Sequence, residues 1–106
     1  MNFKTTKEFD RETKKLAKKY PSLAADIRNL RVELNENPFK GSPLGENTYK
    51  VRMAITSKGK GKSGGARVIT CIKIVDDIIH LLTIYGKSDM ENISDTYLEE
   101  LRKLIE

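Results

Sequence analysis

The sequence predicts an α+β fold, in which an N-terminal helical hairpin packs on a small antiparallel β-sheet with a C-terminal helix. Three observations predict it. Apolar residues in the first third recur at helical spacing; between Thr48 and Tyr85 they alternate or run in β-branched strings; and a capped amphipathic segment ends the chain. Helices and strands segregated along a chain favour an antiparallel sheet with helices packed on it. The chain has 106 residues, enough for one domain, 1–106, with one core. No repeat or linker divides it.

Taken in order, Met1–Lys4 can add an edge strand. Residues 6–20 place Phe9, Thr13, Leu16 and Tyr20 at helical spacing, with Lys and Glu between them. Pro21 and Ser22 end this helix and begin another, with Ser22 as the N-cap. Leu23, Ile27, Leu30 and Leu34 form the second apolar stripe, and Asn37-Pro38 stops it, since a residue before proline is pushed out of the α region. The two helices read as an antiparallel hairpin with a very short turn. PFKGSPLGEN, 38–47, is a turn-rich loop. From Thr48 the period becomes two: Tyr49, Val51, Met53 and Ile55 share one strand face, Lys50 and Arg52 the other. SKGKGKSGG, 57–65, cannot hold regular structure. ARVITCIKIV, 66–75, is β-branched and reads as a central strand. Asp76-Asp77 turns the chain into a third strand, IIHLLTIY, 78–85. Ser94 caps a last helix carrying Tyr97, Leu98, Leu101, Leu104 and Ile105.

No apolar run approaches the roughly 20 residues of a membrane helix, so no membrane partner is expected. The start, MNFKTTKEF, lacks the apolar stretch of a secretory signal, which makes a cytoplasmic protein the expectation. The single cysteine, Cys71, excludes an internal disulfide and a cysteine metal cage; its apolar strand setting reads as core.

The net charge is +5, unevenly spread. Lys50, Arg52, Lys58, Lys60, Lys62, Arg67 and Lys73 are seven cations in a stretch without one acid, which leaves the rest of the chain at −2. A basic surface confined to one segment attracts polyanions, nucleic acid first among them. A solvated loop is the plainer reading, although solubilising surfaces usually mix both signs. Gly61-Lys62-Ser63 resembles the end of a phosphate loop, but position 56 is Thr where that motif needs Gly, and a strand follows instead of a helix. What survives is a flexible Lys-Gly segment that lets backbone and ammonium groups approach a polyanion closely.

If the three strands are neighbours, Arg52, Arg67, Tyr85 and Lys87 converge near one end of the sheet. Cations there would stabilise charge developing on a phosphodiester, and Tyr or Lys could move protons. Taken singly, Arg67 could equally be a structural ion-pair partner and Tyr85 a strand-end core residue. His80 lies mid-strand on the parity opposite Tyr85 and reads as packed. Asp76 and Asp77 form a turn, Asp89 and Glu91 read as solvated acids, and no metal-ligand constellation or cofactor motif is present.

These residues, in this order, resemble the RelE/ParE superfamily, most closely its HigB-like branch of ribosome-dependent toxins. The resemblance is strongest over YKVRMAITSKGKGKSGGARVI (49–69) and LLTIYGKSDMENIS (81–94), and looser over the helical hairpin and NPFKG (37–41). It implies a RelE-like fold, cleavage of mRNA in the ribosomal A site, and neutralisation by a cognate antitoxin, expected to be a helix-turn-helix protein; the lack of a metal-ligand constellation makes metal-independent cleavage the expectation. By the family pattern Lys50 and Arg52 match paired basic strand positions, Arg67 the arginine at the scissile phosphate, and Lys87 the basic position after the last strand. Lys58, Lys60, Lys62 and Lys73, with Lys50, are then expected to bind RNA and ribosome. The chain departs from RelE at Ser88, where RelE has arginine, and at Ser94, where RelE has its catalytic tyrosine; Tyr85 is the nearest replacement acid. A ParE-like gyrase inhibitor without nuclease chemistry and a non-catalytic RNA-binding module are the competing readings. The retained cations favour cleavage over the first, and the scarcity of exposed aromatics argues against the second.

Overall fold

Thr6 opens the first helix with its side chain: Thr6 Oγ1 accepts from the Phe9 N–H at 3.0 Å and donates to the Leu82 carbonyl at 2.7 Å. One residue thus caps a helix and pins it to the sheet. The computed structural model describes residues 1–90 and 92–106; Glu91, read above as a solvated acid, lies outside them. The elements are β1 (Asn2–Thr5), α1 (Lys7–Lys19), α2 (Leu23–Glu36), β2 (Ser42–Gly45), β3 (Thr48–Met53), β4 (Ala66–Lys73), β5 (Ile78–Gly86) and α3 (Asp95–Lys103), with one 3-10 turn at Thr56–Lys58. The expected α+β architecture is therefore present.

The sheet order is β1-β5-β4-β3-β2. The pairs from β2 to β5 are antiparallel, while β1 joins β5 in parallel, so the sheet is mixed and the edge strand at Asn2–Thr5 is its one parallel partner. The turn-rich loop contains a strand that its composition hides: β2, an edge strand that tolerates Pro43 because an edge can spare an N–H. Ser22 precedes α2 but makes no side-chain cap; its hydroxyl goes elsewhere, as described below.

Two apolar layers sandwich the sheet. Phe9 and Leu16 of α1 and Leu23, Leu30 and Leu34 of α2 pack on Val51, Met53, Val68, Ile72, Ile79, Leu81 and Ile84. On the other face Leu98 and Leu101 of α3 pack on Ile69, Cys71, Leu82 and Tyr85. Cys71 is buried, as its setting predicts. The β4–β5 register slips between Ile69 and Thr70, which pair with Thr83 and Leu81, leaving Leu82 as an extra residue in β5. A bulge reverses side-chain parity beyond it. His80 pairs with Cys71 and Tyr85 with Arg67, so His80 and Tyr85 share a face, contrary to the parity count from sequence.

Candidate nucleic-acid interface

The register aligns three predicted site residues across neighbouring strands. Arg52 of β3 pairs with Arg67 of β4, and Arg67 pairs with Tyr85 of β5. Directly opposed residues leave a sheet on the same side, so Arg52, Arg67 and Tyr85 form a transverse row rooted on the α3 face, with Arg52 on β3, where it also borders the cleft beside α2. Lys50 lies two residues from Arg52 on that face, opposite Ile69.

Arg67 is 8% exposed. Its Nη1 donates to the carbonyls of Lys62 (3.0 Å) and Ala66 (3.1 Å), and Nη2 to that of Ser63 (3.3 Å). Among the described residues no carboxylate pairs with it, which answers the ion-pair reading: the fork is held by loop carbonyls, and its charge is not cancelled. Burial, and then Arg52, push its pKa down, with Tyr85 acting in the opposite direction; the guanidinium stays charged at neutral pH regardless.

Tyr85 is 5% exposed and, among the described residues, its hydroxyl has no hydrogen-bond partner. Burial raises its pKa above the ordinary phenol value, and Arg67 only partly opposes this. Neighbouring cations alone would lower it, so burial decides the direction. The phenol is held protonated, and its proton has no acceptor among the described residues.

The remaining cations divide into groups. Lys58, Lys60 and Lys87 line one open depression of about 480 Å³ with Ser63, Gly64 and Ser88. The Lys87 N–H donates to the Gly65 carbonyl at 3.0 Å, which ties the end of β5 to the loop. Lys58 also stands 5.7 Å from the centre of the Tyr20 ring. Lys62 turns the other way. It lines a cleft of about 160 Å³ against α2 with Asp26, Asn29, Glu33 and Arg52, and its charge helps hold the Glu33 carboxyl below its usual pKa, behind the larger effect of Lys40. Lys73 does not join the site. It ends β4, six residues and about 20 Å from Arg67 at ordinary strand rise, and lines a separate depression with Glu46, Arg102 and Glu106.

Ser94 is an N-cap, accepting from the Tyr97 N–H at 3.1 Å. Tyr97 donates to Glu8 at 2.6 Å and lies 3.2 Å from Thr83 Oγ1; burial and then Glu8 push its pKa up to about 12. It is therefore a locked structural phenol linking α3 to α1.

Two supports of the loop escape sequence reasoning. Gly65 packs so closely that a Cβ there would sit 2.1 Å from the Met53 carbonyl oxygen. Asp26 is 7% exposed, on the first turn of α2, and its carboxylate accepts from both Thr56 N–H (2.9 Å) and Thr56 Oγ1 (2.5 Å). An acid among the polar positions of a helix gives no sign of this; only its place beside the stripe residues Leu23 and Leu30 hints at burial.

The family model described as the RelE toxin of the RelE / RelB toxin–antitoxin system matches residues 1–106.

Proposed function

The chain belongs to the RelE toxin family, and on that premise we propose that it is a ribosome-dependent endoribonuclease that cleaves mRNA in the A site and so inhibits translation. As a toxin of this family it has a cognate antitoxin; that the antitoxin is a helix-turn-helix protein, and that both act in the cytoplasm as soluble partners, belong to the proposal. Residues 1–106 would act as one toxin domain.

The observation that carries the reading is the cationic row Arg52–Arg67 beside Tyr85, flanked by the Lys58–Lys60–Lys87 depression. In the proposed reaction the 2′-hydroxyl of the nucleotide before the cut gives its proton to a water molecule or a ribosomal group and attacks phosphorus. A 2′,3′-cyclic phosphate forms, the bond to the 5′-oxygen breaks, and that oxygen must gain a proton. Arg67 and Arg52 would stabilise the added charge on the phosphorane oxygens, which is where preorganised cations contribute most. Tyr85 or Lys87 would supply the proton to the leaving oxygen. Lys58 and Lys60 of the loop, with Lys50, would hold the RNA and ribosome backbone as point charges. This chemistry requires no metal at the bond being broken.

Product ends test the mechanism. A cyclic or 3′-phosphate with a 5′-hydroxyl is expected; a 3′-hydroxyl with a 5′-phosphate would show a different, metal-type hydrolysis. A gyrase inhibitor would leave translated messages uncut.

A further inference from the structure

We propose that Asp26 is a positioning residue for the basic loop: it anchors Thr56–Lys58 to α2, so that Lys58 and Lys60 stand beside Lys87 in one anion-facing depression. The inference rests on the preceding reading in one respect, that this depression meets a nucleic acid.

Alternating Lys and Gly have no conformation of their own, so the ends of the segment decide where its lysines stand. The exit is fixed by the bonds of Arg67 to the Lys62 and Ser63 carbonyls and of Lys87 N–H to Gly65. The entry is fixed by Asp26. Besides its two bonds from Thr56, the carboxylate accepts from Ser22 Oγ at 2.8 Å. A carboxylate can only accept, so the one proton of Ser22 is committed to it, which orients that oxygen's lone pairs toward Ser57. Ser22 Oγ accepts from the Ser57 N–H at 2.9 Å and lies 2.9 Å from Ser57 Oγ. Four side chains from two elements thus close one network on a buried charge, and each bond to that charge is of the stronger, charge-assisted kind. Burial alone would raise the Asp26 pKa, but the hydrogen bonds from Thr56 and Ser22 outweigh it and the pKa is lowered.

Charge and position make opposite predictions, and that separates them. Asp26 is an anion close to a polyanion-binding loop. If it acted only through its charge, its removal would strengthen binding. If it positions the loop, its removal weakens binding although the protein becomes more positive.

The experiment compares wild type, Asp26→Ala, Thr56→Val and the double variant. Affinities are measured for ribosomes and for a short single-stranded oligoribonucleotide, together with single-turnover cleavage and amide exchange of the free protein. Asp26→Ala should weaken ribosome binding about tenfold, the size expected for losing hydrogen bonds to a charge, with the rate at saturating ribosomes nearly unchanged. The double variant should be no weaker than Asp26→Ala, since both remove one network. Exchange should quicken at 56–65 and stay slow in β4 and β5. Should Asp26→Ala fail to fold, Thr56→Val carries the same comparisons with a smaller effect. Unchanged exchange at 56–65, or equal or tighter binding to both RNA probes, overturns the proposal. A wild-type protein that ignores ribosomes contradicts the proposed function instead, and the exchange and oligoribonucleotide measurements then decide the role of Asp26.

Discussion

Arg67 combines two roles in one guanidinium. It carries a charge that no carboxylate pairs with among the described residues, and it gives three hydrogen bonds to the carbonyls of Lys62, Ser63 and Ala66. Arg67→Ala should lower single-turnover cleavage by about 10²–10³-fold, the usual effect of losing a preorganised transition-state donor. Arg67→Lys keeps the charge but lacks the planar fork, so it should recover only a minor part of that loss; a fully active lysine variant would mean that charge alone suffices. Tyr85→Phe removes a hydroxyl that has no partner among the described residues. Its melting temperature should therefore stay level or rise, because a buried unsatisfied polar group is unfavourable. Cleavage should still fall about 10²-fold if the phenol is the general acid, and wild-type cleavage by the Phe variant would leave Lys87 as the donor. The convergence of Arg52, Arg67 and Tyr85 was legible because strand parity and neighbouring strands suffice to align them. The direction of the Tyr85 pKa was not, since sequence shows which cations are near but not how deeply the ring is buried. Nor was the shared face of His80 and Tyr85, because a single bulged residue, Leu82, carries no compositional mark.

The basic loop is the element on which the functional reading turns, and its supports lie outside it. Gly65→Ala would drive a methyl group into the Met53 carbonyl and should destabilise the protein by roughly 1–3 kcal/mol, as overpacking does; a melting temperature equal to wild type would show that the loop relaxes freely. The Asp26 anchor also has a pH signature. Its folded pKa lies below its unfolded value, so the stability it adds is fully present above about pH 4, the ordinary carboxyl value, and is lost as pH falls through the lowered folded pKa. Thermal melts from pH 7 to pH 2 should show a steeper acid loss for wild type than for Asp26→Asn, and parallel curves would contradict the anchor. Most elements could be read from periodicity: both hairpin helices, β3 to β5, and the capped α3. β2 could not, because proline and glycine in an edge strand look like a loop. From sequence the hydroxyl of Ser22 reads as a helix cap, its commonest use, whereas the structure gives it to Asp26 and Ser57, partners that only the folding of α2 onto the loop brings near.

At the scale of the molecule, the cations of the basic segment fall at two ends of the sheet. Arg67, Lys58, Lys60 and Lys87 gather where β4 begins and β5 ends, while Lys73 sits at the opposite end with Glu46, Arg102 and Glu106. An RNA-facing surface at one end would need only one covering segment for neutralisation. The antitoxin is accordingly expected to protect amides within 50–67 or 85–88 from exchange in the complex, the remote Lys73 being no part of that footprint; protection confined to other regions would leave exclusion from the A site as the mode of inhibition. On the proposed function, this end of the molecule cuts translated mRNA. Induced expression followed by genome-wide mapping of mRNA 5′ ends tests it most directly. The wild-type protein should produce new 5′-hydroxyl ends in register with codons, only on messages being translated, and Arg67→Ala at equal abundance should not. Growth arrest without new mRNA ends, or cuts that ignore reading frame and translation, would contradict it.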